Sequence, residues 1–210
     1  MEDVLSVYER PYDPLRPQVC FDETSKELRE TPRGSLPMAP DQPERIDYEY
    51  QRNGTANVFL WVEPLMGRRK VRITKQRTSM DFADQLRLLV DEDYPEAERI
   101  VLVLDNLNTH SPAALYERFA PAEAKRINDK IEWHYTPEHG SWLNIAEIEL
   151  SVFASQCLNR RVPDQGTLAK EATAWQERRN AMKTTIDWRF TTEDARIKLK
   201  RLYPETKEQI

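Results

Sequence analysis

The chain has no apolar run long enough to cross a bilayer. Its longest, Val58 to Val62 and Ile100 to Leu104, fall far short of the roughly 20 residues that a membrane helix requires. The opening Met-Glu-Asp-Val-Leu shows no charged-then-apolar signal pattern. Cysteine is scarce: Cys20 and Cys157 lie far apart, match no paired metal-binding spacing, and are not completed by the three histidines, so both are expected to be reduced core thiols. An excess of positive charge is also missing. The formal charge is −5 and the pI is near 5.4, which argues against a phosphate-binding surface spread over the whole molecule. At 39% hydrophobic and 32% charged, the 210 residues are too apolar for a disordered chain and enough to bury one sizeable core. The expectation is a soluble, intracellular, single catalytic-sized domain with no membrane partner.

Positive charge is present where it is concentrated. In Arg68-Arg-Lys-Val-Arg-Ile-Thr-Lys75-Gln-Arg77, a strand would place Arg68, Lys70 and Arg72 on one face and Val71 and Ile73 on the other. That stripe reads either as a DNA-binding surface or as a sheet edge on which Lys and Arg discourage pairing with other chains.

Along the chain, residues 1–16 form a lead-in broken by Pro11 and Pro14, and Gln18 to Asp22 has strand character ending near Asp22. Thr24 to Asn53 is polar and interrupted by Pro32, Pro37, Pro40 and Pro43, which predicts a long irregular excursion. Asn57 to Glu63 and Arg68 to Thr74 predict a hairpin, and Ser79 can cap a helix through Phe82, Leu86, Leu89 and Val90. Arg99 to Asp105 is the clearest strand, apolar on both faces and therefore central. A helix opened by Ser111-Pro112 follows, then a strand over Ile131 to Tyr135, a helix from about Trp142 to Leu158, and another from about Thr167 to Met182. A capping box at Thr191 to Asp194 begins a terminal helix that ends before Pro204. This order predicts an α/β architecture, a mixed five-stranded sheet with helices on both faces. The expected organisation is a lead-in over 1–16, a catalytic domain over 17–162 containing the Pro-rich loop 24–53, and C-terminal helices over 163–210.

Three acids stand out on this frame. Asp22 and Asp105 end apolar strands, and an acid on the helix after the last strand would make a third. Buried carboxylates are costly without a cation or hydrogen bonds, and active sites of open sheets lie beyond the carboxyl ends of central strands. The candidates for the third acid are Glu138, Glu147 and Glu149. At about 100° per residue, Glu147 falls within the arc of Leu143, Ala146, Leu150, Phe153, Ala154 and Cys157, whereas Glu149 points away, so Glu147 is expected to be the third member. His110 and His139 flank the second and third acids and can contact phosphate, orient a carboxylate, or serve as ordinary hydrogen-bonded histidines. Asn106, Asn108 and Asn144 can support the acids.

The stretches Asp22-Glu-Thr24, Val103-Leu-Asp105-Asn-Leu-Asn-Thr-His110 and Thr136-Pro-Glu-His-Gly-Ser-Trp-Leu-Asn-Ile-Ala-Glu147 resemble the D-D-E motifs of the bacterial insertion-sequence six-thirty transposases, which are related to the mariner elements. The tail Asp187-Trp-Arg-Phe-Thr-Thr-Glu-Asp-Ala-Arg196 extends the resemblance over nearly the whole chain. The resemblance implies a ribonuclease-H-like fold, a bacterial, nucleoid-associated location, and Mg²⁺-dependent cleavage of element-end DNA with strand transfer into TA-containing targets. It makes Asp22, Asp105 and Glu147 the metal ligands, with Mn²⁺ able to substitute, and implies a homodimer in the synaptic complex. Relatives carry N-terminal helix-turn-helix modules; here these are expected to be encoded separately, lost or cut away. The interval from Asp105 to Glu147 is longer than in the best-known relatives, which predicts an added helical turn over residues 122–130. Two other readings remain: a catalytically silent remnant that binds DNA or pairs with a full-length enzyme, and a nuclease of the same fold that lacks strand transfer.

Overall fold

A computed structural model describes residues 1–32, 38–42 and 49–203. Five strands, β1 (Gln18–Glu30), β2 (Gln51–Glu63), β3 (Arg68–Thr74), β4 (Ile100–Leu104) and β5 (Ile131–Tyr135), form one sheet in the order β3-β2-β1-β4-β5. The first three run antiparallel in sequence, while β4 lies parallel to both β1 and β5. Among the described residues seven α-helices, α1 (Glu2–Tyr8), α2 (Ser79–Leu88), α3 (Ala113–Arg118), α4 (Pro121–Asp129), α5 (Ile145–Phe153), α6 (Gln165–Ala181) and α7 (Thr192–Lys198), accompany it. This mixed sheet with helices on both faces is the expected ribonuclease-H-like architecture.

Strand alternation divides the core in two. On one face Cys20, Leu60, Val62, Val101 and Val103 pack with α1, α5 and α6; on the other Val19, Phe21, Phe59, Trp61, Leu102 and Leu104 pack with α2, α3 and α4. Both faces of β4 are buried, which explains its unbroken apolar run. Cys20 and Cys157 are buried free thiols, as expected.

Several boundaries differ from the sequence reading. β1 does not end near Asp22 but runs on to Glu30, and β2 begins at Gln51, so the two make a long hairpin paired from Cys20–Val62 to Glu30–Gln51. The prolines that signalled a break all lie beyond Glu30, and the outer ladder is polar; Lys26 Nζ, for example, donates to the carbonyls of Leu158 and Arg160. Pro37 and Pro43 lie outside the described residues. Residues 2–8, read as part of an irregular lead-in, form α1, whose Val4, Leu5 and Val7 are fully buried. Thr78 rather than Ser79 caps α2, in a reciprocal box with Asp81. The expected box at Thr191 and Asp194 caps α7. A nine-residue helix, α4, occupies the region expected to hold an added turn.

Gly67 closes the β2–β3 turn at φ +63°, and a Cβ there would lie 2.7 Å from the Lys183 carbonyl carbon. Both the backbone conformation and the contact require glycine. The segment after α6 therefore lies directly on this turn, and Ile186 N–H donates to Pro64 O at 3.0 Å.

Candidate active site at the ends of the central strands

β1 and β4 are adjacent and parallel, and their last paired row joins Cys20 to Val103. Asp22 and Asp105 each stand two residues beyond that row; alternation places Asp22, within β1, on the face that carries Cys20 and α5, while Asp105 lies one residue past the end of β4. Asp22 is 7% exposed and its Oδ1 accepts the Glu23 amide at 2.8 Å. Asp105 follows directly on β4 and its side chain is 18% exposed.

The third acid arrives on α5. Asn144, fully buried, caps this helix by accepting the Ala146 amide at 3.1 Å, and its Nδ2 donates to Phe21 O at 2.9 Å. One side chain thus starts α5 and ties that start to β1 beside Asp22. Glu147 occupies the first turn. The structure corrects its burial: Glu147 is exposed, and Glu149 is the buried acid, 1% exposed and paired with Arg69 and Arg179. A uniform helical wheel failed because Ser141–Leu143 is a 3-10 turn and Ala154–Leu158 a π turn, leaving only nine residues in α-helical phase. Those nine bury Ile145, Ala146, Glu149 and Phe153 and present Glu147 and Ile148 outward.

The acids sense one another. Burial, then the charges of Asp105, Glu23 and Glu147, push the Asp22 carboxyl up to about 7, against the lowering effect of the Glu23 amide. His110, 1% exposed, places Nδ1 2.5 Å from Asp105 Oδ1 and Nε2 2.7 Å from Glu23 Oε2. Burial alone would lower its pKa, but Asp105 and Glu23 outweigh burial and raise it to about 9, so the ring is held as imidazolium. The Nε2 contact is an ion pair without the alignment of a good hydrogen bond.

Glu23 was missed in the sequence, although a signal existed. Val19 and Phe21 feed the α2 face of the sheet, so the next residue in alternation, Glu23, puts a carboxylate among apolar groups and requires a cationic partner there.

The other candidates fall elsewhere. Asn106 and His139 line, with Asp105, Thr136 and Ser141, a groove of ≈ 360 Å³. His139 is 92% exposed at φ 58°, and Asn108 is exposed. Arg68, Lys70 and Arg72 do share one strand face, opposite Glu63, Trp61 and Phe59, but it is the face away from Asp22. There Arg72 pairs with Asp93 at 2.7 Å, and Arg68 lies over Trp61 and Tyr94. The structure does not bring this stripe to the acids.

All three acids are hard oxygen donors of the kind that suits magnesium, and the repulsion registered at Asp22 is what a cation relieves. As the side chains stand, no three His, Cys, Asp or Glu residues among the described residues are gathered closely enough to hold an ion. Glu147 has no ion-pair partner among them either.

No curated protein matches the chain. Among solved structures, similarity extends to a chain of the simian T-cell lymphotropic virus intasome in complex with PP2A regulatory subunit B56 gamma, with TM-score 0.47, 12% identity, and coverage of 78% of this chain and 50% of that one. It extends also to the Mos1 strand transfer complex, with TM-score 0.35, 16% identity, and coverage of 87% and 59%. The chain thus spans only 50% and 59% of the chains it matches. A family model described as DDE superfamily endonuclease matches residues 17–169, a segment that contains Asp22, Asp105 and Glu147, and the chain belongs to that family.

Proposed function

We propose that this chain is the catalytic part of a transposase that cleaves the DNA ends of its element and joins the freed 3′-hydroxyl to target DNA. The observation that carries this reading is the meeting of Asp22 and Asp105 from adjacent parallel strands, within electrostatic reach of Glu147 at the start of α5. In the proposal these three residues hold magnesium, with manganese able to substitute. The chemistry that divalent cations supply in such a site is activation of the attacking oxygen and stabilisation of the leaving oxygen.

The protein's own contribution is placement. Asp22 is held inside β1 by its pairing with Leu60, Asp105 follows the last residue of β4, and Asn144 fixes the first turn of α5 against β1. Glu147, exposed and without an ion pair among the described residues, is free to turn toward the aspartates. No covalent protein nucleophile is required, since water or a 3′-hydroxyl attacks the phosphodiester. TA-containing targets, a homodimer in the synaptic complex, and a separate helix-turn-helix part belong to the same proposal. No feature of the site favours the silent remnant or the nuclease without strand transfer.

The test is magnesium-dependent nicking by the full chain of a plasmid carrying the element's ends, followed by capture of the cut ends in a second plasmid. Asp105→Asn and Glu147→Gln are expected to abolish nicking while leaving circular dichroism unchanged. Cleavage by Asp105→Asn at the wild-type rate would sink the assignment.

A further inference from the structure

The Glu23 amide bonds Asp22 and the His110 ring bonds Asp105, and this arrangement has a use beyond closing a charge balance. Asp105 opens a segment that contains neither strand nor helix until Ala113, so no ladder orients its side chain. Its hydrogen-bond partner is His110 Nδ1, at 2.5 Å from Oδ1. His110 is itself locked: its ring packs on Phe82 with centroids 4.6 Å apart, meets Phe21 edge-on at 6.1 Å, and has Nε2 closed by Glu23 Oε2 at 2.7 Å. Glu23 is fixed in β1 opposite Phe59.

Glu23 also donates its amide to Asp22 Oδ1 at 2.8 Å. One residue therefore reaches Asp22 through its backbone and Asp105 through His110. In both aspartates Oδ1 is engaged, and Oδ2 has no hydrogen bond among the described residues. We infer that Glu23 and His110 are a positioning pair that fixes the orientation of the Asp105 carboxylate and, with the Glu23 amide holding Asp22, presents one free oxygen of each aspartate to a divalent cation. Neither touches the substrate. The inference rests on the reading of Asp22 and Asp105 as metal ligands, and it adds the residues that set their geometry. Partners of this kind that orient a ligand typically change metal affinity roughly ten- to hundredfold when replaced.

The test uses the full chain, freed of metal and titrated with Mn²⁺, with bound ion followed by electron paramagnetic resonance and stability by thermal melting. His110→Gln is expected to weaken Mn²⁺ binding roughly ten- to hundredfold and to lower the melting temperature, because Glu23 is left buried without a cation. In the double variant Glu23→Gln/His110→Gln no charge is left stranded, so stability is expected to recover while Mn²⁺ affinity stays weak. A purely structural pair would recover both together, and that result would overturn the inference. So would wild-type affinity in His110→Gln. Asp105→Asn separates the two levels: if it abolishes Mn²⁺ binding and His110→Gln does not weaken it, only the positioning role fails. If the wild-type chain binds no Mn²⁺, or Asp105→Asn binds it normally, the metal site fails and the positioning role with it.

Discussion

Arg69 and Glu149 form an ion pair at 2.7 Å with neither side chain more than 1% exposed. The pair joins edge strand β3 to α5, two residues from Glu147. Arg179 of α6 adds a bond to Glu149 at 3.0 Å, and Arg69 also donates to the carbonyls of Gly67 and Thr184, both at 2.7 Å. Asn180 brackets the Arg69 backbone in both directions, accepting from N–H at 2.8 Å and donating to O at 2.9 Å. The end of α6, the β2–β3 turn and α5, which carries Glu147, are therefore held by one buried node.

Removing one partner of such a node strands the others. Glu149→Gln leaves the Arg69 guanidinium buried without a counter-charge and is expected to cost about 3–5 kcal/mol. Urea denaturation followed by tryptophan fluorescence measures it. A loss under about 1 kcal/mol would show that the remaining carbonyl partners suffice for Arg69.

A second ionic node has a pH signature. Glu132 on β5 receives Arg10 at 2.7 Å, Arg16, and His134 Nε2 at 3.0 Å. Burial alone would raise its carboxyl, but the hydrogen bonds from Arg10, His134 and Arg16 prevail and hold it at about 2, below the ordinary 4.5. A carboxylate lowered on folding contributes stability that is fully present above pH 4.5 and is lost as pH falls toward 2. Since both arginines are more than a third exposed, solvent screening reduces the effect to about 1–2 kcal/mol. Glu132→Gln is expected to lose that amount at pH 7 and to match the wild type near pH 2 in denaturant titrations. A difference that stays constant with pH would assign the loss to packing instead.

The readable parts of the sequence were those in which one physical signal acted alone. β4 and β5 follow from unbroken apolar or alternating runs between turn residues, and the box at Thr191 is purely local chemistry. The long β1–β2 hairpin was not readable, because its outer rows are polar and gain their pairing from a neighbouring strand rather than from a buried face. Asp22 and Asp105 were legible as acids that follow apolar runs. The relative burial of Glu147 and Glu149 was not, since it depends on a helix phase reset at both ends and on Arg69, eighty residues earlier. His110 was legible as a possible partner of a carboxylate, but its pairing with Glu23 joins β1 to the loop after β4, and a single sequence does not show which residues meet across that distance.

Asn144 makes two bonds that no apolar residue can replace. Asn144→Ala removes the cap on Ala146 and leaves the Phe21 carbonyl, in a buried setting, without its side-chain donor. Loss of the cap costs about 1 kcal/mol, and loss of the second bond about 1–2 kcal/mol more. Thermal melting reads the sum. Because the same bonds fix the start of α5, nicking is expected to fall by on the order of a hundredfold, which Asn144→Asp does not fully restore because it lacks the donor to Phe21. Full restoration by Asn144→Asp would show that the cap alone positions α5.

Asp22 offers a prediction in which stability and function oppose each other. Its carboxyl is raised from 3.8 to about 7, first by burial and then by Asp105, Glu23 and Glu147, so the folded chain binds a proton more tightly than the unfolded chain does. The sign follows: the wild type loses stability as pH rises from about 3.8 to 7, and the penalty is constant above that. Asp22→Asn keeps an oxygen to accept the Glu23 amide and carries no charge, so without metal it is expected to be more stable than the wild type by about 2–4 kcal/mol at pH 8 and equal to it near pH 3.5. Magnesium narrows the gap, because a cation that binds only the folded wild type stabilises it in proportion to the logarithm of its concentration. Melting curves at pH 8 with chelator and then with increasing Mg²⁺ should show the wild type rising toward the variant, whose own curve stays flat. If Mg²⁺ moves both equally, Asp22 is not a ligand, and the charge it carries within β1 must be balanced by some other group.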